Sequence, residues 1–327
     1  MNNKFYIPQT FIKDKAIQDK ISDDGYAIIS NIGTEILEQL RNKYKELHKL
    51  KTSSGAMFYS IYSQDLEYRK LVYDNVAEIL KPILREHFIE EKYKNIINSF
   101  IIKTSGKKSE FALHQDSSIV NESKFSQLSL WIPLQDTTID NGTLCIVPKT
   151  HKLFLPYRGN SIEPPFQEYE EEIRKYLIPI ELKAGDILAF DYRLVHYSPA
   201  NSTKNDRIVA LCGLFEHNAS IEVAYKDSKS STIEIFSQTD DYLLTNKGFH
   251  LACNCKPESG IKIREVKDDL KRVNKEEFIQ FAKNNNLKKL ELPILQKLIL
   301  DSYTVIDPNY KASIKEVIKD KLEELIK

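Results

Sequence analysis

Between residues 183 and 216 the chain reads Lys183-Ala184-Gly185-Asp186-Ile187-Leu188-Ala189-Phe190-Asp191, then Leu194-Val195-His196-Tyr197-Ser198. A turn-rich Pro199–Asp206 follows, and then Arg207-Ile208-Val209-Ala210-Leu211-Cys212-Gly213-Leu214-Phe215. These are apolar runs of strand length, rich in β-branched and aromatic residues, separated by turn formers. The last two runs predict an antiparallel hairpin that brings Arg207 back beside His196. Strand alternation puts Arg207, Val209 and Leu211 on one face, and His196 and Ser198 on one face.

The same texture extends upstream to about residue 95 and downstream to about 236. Strands are expected at 96–103, 110–116, 126–134, 143–147, 178–182, 187–190, 193–198 and 207–216. Asp140-Asn141-Gly142 and Ala184-Gly185-Asp186 mark tight turns. Many short strands at this pitch predict a sandwich or barrel of the jelly-roll kind. Residues 153–177 interrupt it with prolines and the acidic run Glu168-Tyr169-Glu170-Glu171-Glu172, as a surface excursion or a lid over a site.

On either side the period changes to that of helices. Residues 10–50 carry Ile12, Ile17, Ile21, Ile36, Leu37, Leu40, Tyr44 and Leu47, with a turn and short strand at Asp24-Gly25-Tyr26-Ala27-Ile28-Ile29. Residues 52–62 read as a Ser- and aromatic-rich loop, and 65–88 return to helix. From about 266 the chain is Lys-rich and helical in spacing to its end. The expected organisation is a β core with flanking helices. A domain over 1–250 comprises a helical N-terminal region (1–94) and a jelly-roll core (95–236), and a helical extension over 251–327 packs on the core.

Composition excludes some functions. Of 327 residues, 47 are Lys or Arg and 47 Asp or Glu, so no global field draws the chain to nucleic acid or anionic membrane. No stretch of about twenty apolar residues predicts a membrane span, and the N-terminus lacks the apolar run of a signal peptide. Cys145 and Cys212 read as small core residues, and Cys253-Asn254-Cys255 near His250 lacks the spacing of a common zinc site. The set fits a reducing cytoplasm.

The chemistry lies in Leu113-His114-Gln115-Asp116. Two apart on a strand, His114 and Asp116 project together, an imidazole beside a carboxylate, which is two-thirds of a facial triad for iron(II). Alone, such a triplet reads equally as an exposed polar pair. His196 near the end of a buried strand can complete the set, because a jelly roll brings a late strand beside an early one. A guanidinium inside a barrel is costly unless it meets an anion, and the fork of Arg207 matches a carboxylate. Ser198 can donate a hydroxyl to the same carboxylate. The joint order of these elements is far less common than any one of them.

Three segments together resemble the phytanoyl-CoA dioxygenase (PhyH-like) family of iron(II)/2-oxoglutarate oxygenases. They are Leu113-His114-Gln115-Asp116; Leu130-Trp131-Ile132-Pro133-Leu134 through Asn141-Gly142-Thr143-Leu144 to Val147-Pro148-Lys149-Thr150-His151; and Lys183-Ala184-Gly185-Asp186 through His196-Tyr197-Ser198 to Arg207. The resemblance implies a double-stranded β-helix, with His114, Asp116 and His196 as iron ligands and Arg207 and Ser198 on the distal carboxylate of 2-oxoglutarate. Trp131 matches a tryptophan beside the co-substrate, and Ser99 falls near a co-substrate position. His151 belongs to a structural turn. Pro148-Lys149-Thr150 replaces a more usual Pro-Gly-Ser, and the region after 250 has no family counterpart. Related halogenases carry Gly or Ala where Asp116 stands, so the carboxylate implies hydroxylation, desaturation or ring closure with O2.

Expected activity is therefore oxidation of a small metabolite or amino-acid-derived intermediate, giving succinate and CO2. The alternatives are a hydroxylase of acyl-CoA or carrier-tethered substrates, a silent binding protein of the same fold, and a cupin-like dioxygenase that needs no 2-oxoglutarate. Met57, Phe58, Tyr59, Tyr62 and the stretch Arg158–Tyr169 are candidate pocket walls, and the C-terminal helices a candidate oligomer interface.

Overall fold

The computed structural model describes residues 8–29, 31–48, 56–106, 109–153, 155–246, 255–269, 272–291, 293–295 and 298. The chain opens with α1 (Lys15–Asp24), β1 (Tyr26–Ile29) and α2 (Thr34–His48). The Asp14 carboxylate caps α1 by accepting from the Ala16 and Ile17 amides. The helix stops at Gly25, φ +87°, where a Cβ would also lie 2.6 Å from the His151 ring and from Leu194. Next come β2 (Met57–Tyr59) and α3 (Leu66–His87), capped by Asp65.

The β-rich region follows: β3 (Tyr93–Lys103), β4 (Phe111–His114), β5 (Gln127–Pro133), β6 (Leu144–Ile146), α4 (Glu170–Arg174), β7 (Ile178–Ile180), β8 (Ile187–Asp191), β9 (His196–Ser198) and β10 (Arg207–Glu216). Each expected strand is present: 207–216 as expected, the first starting earlier, 187–190 running one residue further, and the others trimmed by a few residues. Two antiparallel sheets result. The larger runs β1-β8-β5-β10-β3-β2, and the smaller runs β4-β9-β6-β7. From β3 to β10 the strands alternate between the two sheets, except that β6 and β7 both lie in the smaller one, the winding of a double-stranded β-helix.

Strand alternation sorts the side chains into three layers. On the outer face of the large sheet, Ile102, Leu128, Leu130, Ile132, Ala210 and Cys212 pack against the apolar stripes of α1, α2 and α3. Between the sheets lie Ile101, Trp131, Leu144, Ile146, Leu188 and Val209. The outer face of the small sheet, through Leu113, Cys145, Val195 and Tyr197, is covered by the 153–177 excursion and, further along the chain, by a helix over Lys275–Asn284. Phe278 of that helix is fully buried against Tyr176 and Tyr169, with ring centroids 5.6 and 6.0 Å away.

Two stretches depart from the sequence reading: Met57–Tyr59, within the expected loop 52–62, pairs with β3 as the edge strand β2, and Ile261–Lys267, within the expected helical extension 251–327, is a strand. The stretch after 216 forms a third sheet of β11 (Ile221–Tyr225), β12 (Thr232–Gln238) and β13 (Ile261–Lys267). The short helix α5 (Tyr242–Thr245) lies between the last two strands, and α6 (Lys275–Asn284) follows them. Ile261-Lys262-Ile263-Arg264-Glu265-Val266-Lys267 alternates as a strand should, yet its isoleucines at 261 and 263 are exposed, so no core burial signals it. The expected apolar positions Ile314, Val317, Ile318, Leu322 and Ile326 lie outside the described residues, as do His250, Cys253 and Asn254. No helix among the described residues is long and apolar enough to cross a membrane.

Candidate metal centre and anion subsite

The register of the small sheet sets His114 of β4 directly opposite His196 of β9. Their rings are 4.1 Å apart between centroids. Asp116, two residues beyond His114, points to the same side. Its Oδ1 lies 3.6 Å from His114 Nε2 and 3.8 Å from His196 Nε2. One ligand atom from each of the three falls within 4.8 Å of the others, and this is the one such group of His, Cys, Asp or Glu among the described residues.

The hydrogen bonds fix the state of both imidazoles. His114 Nδ1 is 2.8 Å from the Ala112 carbonyl, and His196 Nδ1 is 2.9 Å from the Leu194 carbonyl. A carbonyl only accepts, so each Nδ1 carries a proton, and it is each Nε2 that faces Asp116. Burial, and then the neighbouring His114, push His196 down to about 4, which keeps it neutral. Burial pushes the Asp116 carboxyl up, but His196, His114 and Arg158 outweigh it and hold it below its ordinary value. Two imidazoles and one carboxylate on three sides of a point form the 2-His-1-carboxylate donor set that suits divalent iron and leaves positions open.

All three line a cavity of about 550 Å³ between the sheets. Arg207, Ser198 and Trp131 line it too. Arg207 is 2% exposed, and its guanidinium lies 5.2 Å over the Trp131 ring. It makes no ion pair among the described residues, and its Nε is buried with no hydrogen-bond partner. Burial lowers its pKa to about 10. A fork-shaped cation held dry without an anion is a subsite for one. Ser198 Oγ donates to the Gly142 carbonyl at 2.8 Å, so toward a ligand it offers lone pairs. Ser99 is turned elsewhere: its hydroxyl meets Ser60 Oγ at 2.9 Å and accepts from the Ile61 amide, and it does not reach the cavity. His151 is buried under Gly25 with Nε2 3.2 Å from the Ser22 carbonyl, also away from the cavity.

Of the early aromatic cluster, Met57, Tyr59 and Tyr62 line the cavity, while Phe58, at the intervening position of β2, packs on the helical side. The excursion is a wall: Arg158, Ile162, Pro165 and Phe166 face inward. Arg158 binds the buried Glu122 (2.8 Å to Oε1) and donates from Nε to the Asp116 carbonyl at 2.8 Å. From the other side Tyr169 donates to the Val273 carbonyl at 2.7 Å, and the Leu290 amide to the Lys175 carbonyl at 2.6 Å. Sequence reading missed Glu122 and Lys103. The inward alternation Ile97, Ile101, Lys103 was available to signal the last.

A profile of the phytanoyl-CoA dioxygenase (PhyH) family matches residues 21–209. A phytanoyl-CoA dioxygenase of Arabidopsis thaliana is 30% identical over 146 residues, covering 39% of this chain and 50% of the relative. A phytanoyl-CoA dioxygenase domain-containing protein 1 homolog of Dictyostelium discoideum is 25% identical over 168 residues, covering 45% and 59%. The chain thus spans about half the length of the curated relatives it matches. Among solved structures, the epimerase SnoN in complex with Fe3+, alpha ketoglutarate and nogalamycin RO aligns with TM-score 0.46 and 20% identity over 63% of this chain and 85% of that one. HygX from Streptomyces hygroscopicus, with nickel and 2-oxoglutarate bound, aligns with TM-score 0.44 and 14% identity over 67% and 92%. The profile takes in more than half of the 327 residues, and the chain belongs to the phytanoyl-CoA dioxygenase (PhyH) family.

Proposed function

We propose that the protein is an iron(II)- and 2-oxoglutarate-dependent oxygenase that hydroxylates a small, largely apolar metabolite or amino-acid-derived intermediate in the cytoplasm. One observation carries this reading. The His114–Asp116–His196 set and a buried guanidinium without a counter-ion open on one cavity. His114, Asp116 and His196 would hold the metal. Bound iron would supply the activation of O2, coupled to decarboxylation of 2-oxoglutarate to succinate and CO2.

The rest is the work of this chain's residues. The Ala112 and Leu194 carbonyls hold a proton on each Nδ1 and aim each Nε2 at the site. Arg207 takes the distal carboxylate, with Trp131 closing one side of its guanidinium. Trp131, Ile101, Phe190 and Leu211 exclude water from that end. Arg158 fixes the carbonyl of Asp116, so the excursion that closes the cavity also positions a ligand residue.

The substrate half is walled by Ile61, Ile97, Ile119, Ile162 and Phe166. The one arginine there, Arg158, is spent on Glu122. No free cation is left among the described residues to grip a charged head group, which favours a neutral, apolar reacting portion. The second reading, an acyl-CoA or carrier-tethered substrate, is favoured by the same apolar walls and by the names of the relatives. The test is an anaerobic titration of metal-free protein with iron(II) and then 2-oxoglutarate, following the visible charge-transfer band. The wild type develops a band that Asp116→Ala loses and Arg207→Ala reaches only at higher 2-oxoglutarate. A folded wild type with no band sinks the proposal. Succinate release across neutral metabolites, amino-acid derivatives and acyl thioesters then separates the two substrate readings.

A further inference from the structure

Lys103, the last residue of β3, has no exposed surface. A lysine is almost never fully buried unless a carboxylate pairs with it. None does so here among the described residues. Its Nζ donates to two backbone carbonyls, Pro199 at 2.6 Å and Ser198 at 3.1 Å. The fold makes room for it. At Gly142 (φ +80°) a Cβ would lie 2.6 Å from the Lys103 side chain and from the Pro199 carbonyl, so only glycine lets the lysine stem pass.

The register makes the burial costlier still. Lys103 stands directly opposite Arg207 across β3 and β10. Like charges facing each other across strands repel. Here both are buried, one with an unpartnered Nε and no ion pair, the other meeting only carbonyls. Burial, and then the charge of Arg207, weaken the hold of Lys103 on its proton, with Glu110 pulling the other way. Such an arrangement is unfavourable while the subsite lacks an anion and is relieved when a carboxylate enters beside Arg207.

We propose that Lys103 is a second cationic element of the co-substrate subsite. It stands one layer behind the cavity wall, and its charge sets the preference for a 2-oxo acid that carries a distal carboxylate. The inference rests on the 2-oxoglutarate reading above. Lys103 does not touch the ligand; it is a positioning residue acting through space and through the 198–199 carbonyls. A purely structural lysine would clip the end of β9 and nothing more, and the two roles make different predictions.

The experiment compares 2-oxoglutarate with 2-oxobutanoate, which has the same chelating end but no distal carboxylate. Dissociation constants are measured anaerobically on iron-loaded wild type, Lys103→Met and Lys103→Gln, alongside the iron(II) affinity of each without oxo acid. Lys103→Gln keeps a donor for the carbonyls while removing the charge, so the charge is tested even where Lys103→Met folds poorly. The expected result is a preference for 2-oxoglutarate reduced on the order of tenfold in both variants, about 1.4 kcal/mol, with 2-oxobutanoate and iron(II) affinities unchanged. An unchanged preference, or equal weakening of both acids and of the metal, overturns the role of Lys103 and leaves the oxygenase reading standing. A wild type that binds both acids equally overturns the subsite itself.

Discussion

Replacing Arg207 by Met separates function from stability by the sign of two effects. The guanidinium is 2% exposed and has no carboxylate partner among the described residues, so the ligand-free fold carries an uncompensated buried charge. Exchanging a buried charge for an apolar side chain of similar length commonly stabilises by about 1–4 kcal/mol. Methionine also keeps a flexible stem over the Trp131 ring, where the guanidinium now lies at 5.2 Å. At roughly 2–4 °C per kcal/mol, the ligand-free variant melts several degrees above wild type. The opposite holds for binding. Losing one side of a desolvated, hydrogen-bonded charge pair costs about 2–5 kcal/mol, roughly 30-fold or more in 2-oxoglutarate affinity. The assay is a thermal scan of metal-loaded protein under nitrogen with increasing 2-oxoglutarate. Wild type starts lower and climbs with ligand; Arg207→Met starts higher and climbs only at far higher concentration. A variant that starts lower than wild type and climbs in parallel with it refutes the argument, because Arg207 would then be a structural residue with its charge satisfied.

Three other perturbations test the frame around the site. Arg158→Met strands the Glu122 carboxylate in a buried position and should cost about 3–5 kcal/mol in urea unfolding; adding Glu122→Gln should restore most of it, and a purely additive double variant would argue against the pair. Phe278→Ala should cost about 3–5 kcal/mol and loosen the 153–177 wall, seen as faster proteolysis there; unchanged cleavage would detach α6 from the wall. His151 and His196 are both held at about 4, by burial first, so the unfolded chain binds more protons than the native one between about pH 4 and 6.5. The stability of metal-free protein should therefore fall as pH drops through that window, by about 2 kcal/mol per histidine at pH 5; equal urea midpoints at pH 7 and 5 would refute it.

The β core was legible because two simple periods govern it. Alternation along 207–216 places Val209 between the sheets and Ala210 and Cys212 toward the helices. The two-residue spacing of His114 and Asp116 puts both on one side. What alternation cannot supply is which strand lies beside which. That His114 faces His196 follows from the winding of strands between sheets, and it was read from the jelly-roll expectation and the family resemblance, not from spacing. Ser99 shows the limit of such a transfer. It lies on β3 as expected, but Ser60 takes its hydroxyl, and Ser60 comes from a segment whose path no local pattern reveals. The excursion and the third sheet were illegible for a related reason. Ile162 is buried against Ala224, Ile233 and Ile235, so each segment owes its shape to the other rather than to its own propensity.

The cationic end of the cavity is where sequence rules and structure conflict most, and the conflict is informative. Local consistency would put Lys103 and Arg207 at the surface, since both end their strands next to turns. Instead both are buried, in register, on the inner face. Nothing in packing requires this: Leu or Met would fill the same space at lower cost. Gly142 is committed to accommodating the lysine, and Ser198 and Pro199 turn their carbonyls to it. Three positions on two segments are thus arranged around a charge that destabilises the ligand-free protein. A fold keeps such an arrangement where a bound anion returns the stability, and binding energy then has a fixed direction. A dicarboxylate is negative at both ends, so the cations draw one carboxylate toward β3 and β10 without choosing which, and the choice falls to the donor set of His114, Asp116 and His196 at the other end. Under the proposal for Lys103, the cations at one end would favour acids that carry a second carboxylate, and the metal set would select the 2-oxo acid end.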